Sequence, residues 1–184
     1  ARLLEQQMAS GQIPAGEKVQ RTETLGQRYI RAGSFGKGIQ YANQYLKSVP
    51  GDQEMELMVA QGYYQQKDYK GAIAAAERII KSGQRPSEDA LQLLLRSSYE
   101  IDDKAGTAQA LEQLLKYYPS ADTWQRVLDG YISKTKHDDE LLSLYRLAED
   151  VGALTKPRQY TDMSQALVVG GFAIEGQRVI EKGI

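Results

Sequence analysis

The sequence predicts an all-α chain: an array of antiparallel helix pairs, each pair one repeat. Residues of the same kind return after 34 positions, so that Tyr29, Phe35, Gly38, Ile39 and Ala42 fall on Tyr63, Tyr69, Ala72, Ile73 and Ala76. Ser10-Gly11-Gln12-Ile13-Pro14 recurs as Ser82-Gly83-Gln84-Arg85-Pro86, where a glycine can stop one helix and a proline keeps it from resuming. Nowhere does the chain show the apolar-polar alternation of strands or a low-complexity linker.

Composition sets the outer bounds. An apolar content of 41% with 26% charged residues is that of a folded protein, and 184 residues hold about five such repeats. The formal net charge is -1, from 23 Lys and Arg against 24 Asp and Glu, which gives no field to draw in nucleic acid or an anionic membrane. No apolar run approaches the ~18 residues that span a bilayer. The chain has no cysteine, so disulfides, thiolate metal sites and a cysteine nucleophile are excluded. The first residues carry no charged n-region or apolar h-region, so any targeting segment is expected to have been removed or to lie upstream.

Residues 1–17 read as the second helix of a preceding repeat, with Leu3, Leu4 and Met8 apolar at helical spacing. Repeat 18–51 follows, with helices expected over 18–32 and 35–48 around a Gly33-Ser34 turn and Pro50 as the stop. Repeat 52–86 has helices expected over 52–66 and 69–82, the second rich in small, helix-favouring alanines that admit close approach. Repeat 87–119 opens on Ser87 as a cap, with Glu88 and Asp89 at the positive end of the helix dipole; its helices are expected over 87–101 and 104–117. In repeat 120–155 the second helix is expected over 138–151, with Leu141, Leu144 and Leu147 on one face and Gly152 as its stop. The partial repeat 156–184 starts after Pro157, breaks at Gly170-Gly171 and leaves Ile180 and Ile184 as core positions without a neighbour. The expectation is a single array segment that begins and ends mid-repeat, cut from a longer solenoid or covered at its ends by another chain.

With the 34-residue period, Trp124 and Tyr131 seven apart and a small residue in the second helix, the chain resembles the tetratricopeptide repeat family. Repeat 87–119 departs from its pattern, with Ser98 where a tyrosine is usual and Leu95 where a small residue is. The run from Ser87 through Tyr117-Tyr118-Pro119 and Trp124 to Tyr145-Arg146-Leu147 resembles exported bacterial repeat proteins, which implies the bacterial periplasm, with the cytoplasm as the alternative. The family resemblance implies a right-handed helical solenoid whose first helices line a concave, protein-binding face. The inward positions it implies are Gln20, Glu23, Gln27 and Ile30; Glu54, Leu57, Gln61 and Tyr64; Asp89, Gln92, Arg96 and Tyr99; Asp122, Gln125, Asp129 and Ile132. From these, Gln27, Gln61, Tyr64, Gln92, Arg96, Tyr99, Gln125 and Asp129 are the candidate peptide-binding residues: the amides and Arg96 offer donors to a peptide backbone, the tyrosines rigid contact area. The lysine and asparagine clamp by which some relatives hold acidic chaperone termini is absent.

Candidates for chemistry fail one by one. His137, the single histidine, stands beside Asp138, Asp139 and Glu140, but adjacent residues at a helix start do not converge on a metal, and Asp138 as a helix cap explains them. Gly33-Ser34-Phe35-Gly36-Lys37-Gly38 is not a phosphate loop: Arg31 stands where a glycine is needed, Gly38 where Ser or Thr is, and no strand precedes it. The Asp102-Asp103 and Asp138-Asp139 pairs are expected in turns, without the burial that acid-base work requires. Tyr29, Tyr63 and Tyr131 are expected in the core, and Tyr117-Tyr118 against Pro119. The expectation is a non-enzymatic interaction scaffold with a protein or peptide partner and no cofactor, metal, nucleic acid or membrane insertion. The alternatives are self-assembly as a homo-oligomer through Leu3-Leu4 and Val179-Ile180, or service as the docking arm of a larger multidomain protein.

Overall fold

The computed structural model describes residues 2–9 and 14–183, and among them it holds eleven helices and no strand. These are α1 (Arg2–Ala9), α2 (Ala15–Arg31), α3 (Phe35–Ser48), α4 (Gln53–Gln65), α5 (Tyr69–Lys81), α6 (Glu88–Glu100), α7 (Lys104–Tyr117), α8 (Ala121–Ile132), α9 (Asp138–Asp150), α10 (Pro157–Val169) and α11 (Ala173–Lys182). The helix expected from residue 18 starts at Ala15, with Pro14 at its N-cap, and α10 starts on Pro157 itself, where proline's fixed φ and missing N–H suit the first helical position. The expected stop at Ser10-Gly11 and the terminal Ile184 lie outside the described residues.

One turn joins most of the pairs. Gly33, Lys67, Asp102 and Gly171 all take positive φ, at 74°, 60°, 52° and 87°. The amide after each bonds back to the carbonyl five residues earlier: Ser34 to Tyr29 at 2.9 Å, Asp68 to Tyr63 at 2.9 Å, Asp103 to Ser98 at 2.8 Å and Phe172 to Leu167 at 2.8 Å. This closes the helix C-terminus and turns the chain through three residues. The next helix is then capped in α5 by Asp68, which accepts from Gly71 N, and in α7 by Asp103, which accepts from Ala105 N and Gly106 N. Asp102-Asp103 thus sits in a turn, with Asp103 committed to a cap. Asp138-Asp139 does not: both lie in the first turn of α9, and the cap position belongs to His137, not Asp138, with no side-chain cap bond. Ser87 caps α6 through Ala90 N at 3.3 Å.

The chain divides into two compact units, Ala1–Tyr117 and Tyr118–Ile184. In the first, each helix packs on its chain neighbours, and α4 also touches both α2 and α6, so the first helices of successive pairs lie side by side. The core runs through Leu25, Ile39, Ala42, Met55, Val59, Ala76, Ile79, Leu91, Leu94 and Leu114. Small residues set the α2–α3 spacing: a Cβ on Gly38 would stand 2.6 Å from Ile30 Cγ1, and one on Gly26 would stand 2.9 Å from the Ala42 amide. The Gly33–Gly38 stretch is therefore an interhelix turn leading into a tight helix contact. At the start of the unit α1 packs on α2, and Glu5 accepts from Lys37 Nζ at 3.2 Å and Tyr41 Oη at 3.0 Å. Hydrogen bonds from Tyr29, Lys37 and Tyr41 hold its carboxyl below the usual range.

Asp52 links two repeats within this unit. It caps α4 by accepting from Met55 N at 3.0 Å and accepts from Tyr45 Oη of α3 at 2.8 Å. Burial, and then this bond, push the Tyr45 phenol up to about 12. The folded state therefore favours the neutral phenol. Its stabilisation is present in full below the unfolded value near 10 and is lost as pH rises towards 12. Asp52→Ala is expected to destabilise the unit by about 1–2 kcal/mol in urea titration, from the lost cap and acceptor. Tyr45→Phe is expected to flatten the alkaline limb of the stability–pH curve.

The second unit packs α8 on α9, α9 on α10 and α10 on α11 around Leu128, Leu142, Tyr145, Ala148, Leu154, Met163, Leu167 and Val179. The stripe of α9 that faces inward is Leu142, Tyr145 and Ala148, one residue on from the expected Leu141, Leu144 and Leu147; Leu147 is 40% exposed. Tyr131, expected in the core, is 62% exposed, whereas Tyr29 is buried and Tyr63 half-buried. The cause is the α8–α9 connection. It runs from Ser133 to His137 without a left-handed residue, so the three-residue closure that brings other pairs together is missing here. Tyr117 carries Arg85 and Lys116 over its ring, at 5.9 Å and 4.9 Å.

Candidate functional site

On the first unit, α2, α4 and α6 and the start of α3 enclose a depression of about 530 Å³. Ile30, Phe35, Met58 and Leu93 give it apolar walls; Gln61, Tyr64 and Gln65 present polar groups from α4, Arg31 from the last turn of α2, and Asp89 and Arg96 from α6. The depression exists because α4 stands between α2 and α6, while Gly62, buried against Ile39 and Phe35, lets α3 come close behind it. A Cβ at Gly62 would meet Ile39 at 3.2 Å. The Tyr64 ring is held edge-on by Tyr69 at 5.4 Å, so it presents a fixed face. Tyr69 is in turn anchored to α6: burial and then Glu100, its hydrogen-bond partner, raise the Tyr69 phenol above its usual value.

Three of the sequence-derived candidates meet in one lining. Gln61, Tyr64 and Arg96 line this depression together. Gln27 does not; its Nε2 donates to Glu23 at 3.0 Å on α2. Gln92 and Tyr99, half-buried and exposed on α6, lie off the lining. Gln125 and Asp129 belong to the second unit, where they border a cleft of about 100 Å³ with Tyr145 and Asp162, and Gln125 accepts from Thr155 Oγ1 at 3.1 Å. Among the described residues no cluster of His, Asp and Glu is placed to hold a metal ion. No described helix is long and apolar enough to cross a membrane.

No protein-family model and no curated protein matches the sequence. Solved structures do. A crystal structure of MamA is 20% identical, with 91% of each chain covered and a TM-score of 0.56. YrrB, described as a TPR protein with an unusual peptide-binding site, is 10% identical over 92% of this chain and 87% of its own, with a TM-score of 0.54. MamA from residue 41 to its end, from Desulfovibrio magneticus RS-1, is 15% identical over 92% and 94%, with a TM-score of 0.52. The chain has the tetratricopeptide-repeat fold. At these identities the likeness carries the fold and leaves the site to be argued from its own residues.

Seen as tetratricopeptide repeats, the lining residues that sequence reasoning missed have a simple register. Arg31 and Gln65 hold the same seat in successive repeats, one position beyond Ile30 and Tyr64; Met58 and Leu93 each follow an inward position, Leu57 and Gln92. Phe35 opens the second helix. Four inward positions per helix were too narrow a stripe. A helix face covers more than 100° of arc, so the flanking position on each turn also reaches the wall. The signal was present in the 34-residue spacing of Arg31 and Gln65.

Of the residues expected at sticky ends, Leu3 is 77% exposed and Leu4 half-buried. Val179 is instead part of the second unit's core and not free for a second copy; Ile180 is half-buried.

Proposed function

We propose that the protein is a non-enzymatic scaffold that holds a peptide or partner-protein segment in the first unit's depression. One observation carries this reading: Gln61, Tyr64 and Arg96 come from two helices to edge an apolar floor of Ile30, Phe35, Met58 and Leu93. Aromatic and arginine side chains around such a floor are the groups that dominate binding energy at protein interfaces. The tetratricopeptide-repeat fold, and the peptide-binding site that the description of YrrB names for that protein, support it. Tyr64→Ala and Arg96→Ala are each expected to weaken a captured partner by about 1 kcal/mol or more, read as loss of prey in parallel pull-downs from lysate and periplasmic extract. Capture unchanged in the double variant would remove the reading. The periplasm is our proposed compartment on the sequence resemblance, and cell fractionation tests it.

Self-association is a second reading. It draws on Val168, Val169, Phe172 and Ile174, all exposed around the α10–α11 turn of the second unit. Sedimentation velocity across a concentration range decides it: a monomer throughout removes it.

A further inference from the structure

The charges around the depression are not symmetrical. Arg31 stands at the end of α2 and Arg96 on α6, both exposed, and among the described residues neither side chain has a hydrogen-bond or ion-pair partner. Eight arginine or lysine side chains elsewhere are engaged with carboxylates, among them Arg78 with Glu56 and Arg146 with Glu175. The one acid in the lining, Asp89, lies two helical turns before Arg96, about 10 Å back along α6 at ~1.5 Å per residue. The groove thus carries an arginine on each side, from α2 and from α6, with the apolar floor between them.

We propose that the depression selects acidic segments: extended stretches in which two side-chain carboxylates, about six residues apart and so on one face, flank a large apolar side chain of that same face. The inference rests on the reading of the depression as a binding groove. The spacing follows from the fold. Arg31 and Arg96 are separated by two interhelix distances, because α4 stands between α2 and α6, and at ~8–10 Å each that is roughly 16–20 Å. An extended chain advances ~3.3 Å per residue and alternate side chains share a face, so carboxylates about six positions apart, on the same face and roughly 20 Å from one another, reach both guanidiniums. Guanidinium and carboxylate can then pair through two parallel hydrogen bonds, the strongest of the polar contacts open to a peptide. A residue between them on the same face falls over Met58 and Leu93, which have room for Leu, Met or Phe. A basic segment would bring like charge to both arginines and find Asp89 alone to answer it.

The test uses the full chain and fluorescein-labelled peptides with an amidated C-terminus, read by fluorescence anisotropy. One carries two glutamates about six positions apart with a leucine two positions after the first, so that all three share a face of the extended chain; in two others glutamine or lysine replaces both glutamates; a fourth is the glutamine peptide with a free C-terminal carboxylate. The glutamate peptide is expected to bind about tenfold or more tighter than the glutamine peptide, with the lysine peptide weakest. The Arg31→Glu, Arg96→Glu double variant is expected to reverse that order, a gain that a misfolded chain cannot show. Equal binding of the three amidated peptides, abolished by Tyr64→Ala, overturns the charge selection while the groove reading stands. Binding by the free carboxylate alone overturns it in favour of a terminal clamp. No binding by any peptide at millimolar protein overturns both.

Discussion

Gly38→Ala is expected to destabilise the first unit by about 2–3 kcal/mol, although alanine is the better helix former by ~1 kcal/mol. The added methyl would stand 2.6 Å from Ile30 Cγ1, 2.7 Å from the Ile30 amide nitrogen and 3.2 Å from the Gly26 carbonyl oxygen. Two of those three atoms are backbone. A side chain could rotate aside; here α2 and α3 must separate, and the packing of Ala42 against Gly26 opens with them. Gly36→Ala on the same helix is the control, since the nearest atom there is the end of the Gln66 side chain at 3.8 Å. It is expected to leave stability unchanged or raise it by up to about 1 kcal/mol. Amide hydrogen exchange over α2 and α3 separates the two: faster exchange in Gly38→Ala and unchanged exchange in Gly36→Ala. Equal protection in both would mean that the α2–α3 contact is looser than described.

This contact shows why the fold was legible. A small residue at position 38 and another at 72, each in the second helix of its pair, is a pattern that sequence displays directly, because close approach permits little else. Turn chemistry was equally open at Gly33. It was less open at Lys67 and Asp102, which take the same left-handed conformation without being glycine, and there the 34-residue period located the turn. Where the period lapses, so does the reading. At five residues the α8–α9 connection is longer than the three-residue turns inside the other pairs, and there both Tyr131 and the inward stripe of α9 were misplaced. Leucines at 141, 142, 144 and 147 mark two overlapping stripes, and sequence alone does not choose between them; Tyr145 and Ala148, packed with Leu142, do.

The site was less legible than the fold. The inward positions mark which side of each first helix is free, yet a groove is a property of several helices together. Gln61, Tyr64 and Arg96 converge because α4 and α6 are adjacent; Gln27 is drawn away by Glu23, a neighbour one turn earlier that competes for its amide. Gln125 and Asp129 occupy equivalent seats in the second unit, where Tyr145, Asp162 and Gln159 make a narrow cleft of different character. There burial, then the nearby Asp162 and Asp129 carboxylates, push the Tyr145 phenol up. Repeat position gives direction, and the neighbours decide what a side chain can bind.

Arg78→Met is expected to cost about 2–3 kcal/mol, and Glu56→Met with Arg78→Met to return most of it. Glu56 is 7% exposed, and Arg78 meets it through Nε at 2.8 Å and Nη2 at 2.7 Å, tying α4 to α5. These bonds outweigh the burial of the guanidinium and push Arg78 above its already high value. Removing the arginine alone leaves a carboxylate with little water and no counter-charge, which costs ~3–5 kcal/mol at a fully enclosed site. The figure here is smaller because half of Arg78 reaches solvent and the pair borders an open depression of about 510 Å³. Taking both charges away leaves two flexible apolar side chains beside Leu46, Pro50 and Ile79, where they can pack. A double-mutant cycle in urea measures the coupling directly. Additive single and double losses would show that Glu56 is solvated in the absence of Arg78, and that the ion pair contributes no more than a surface one.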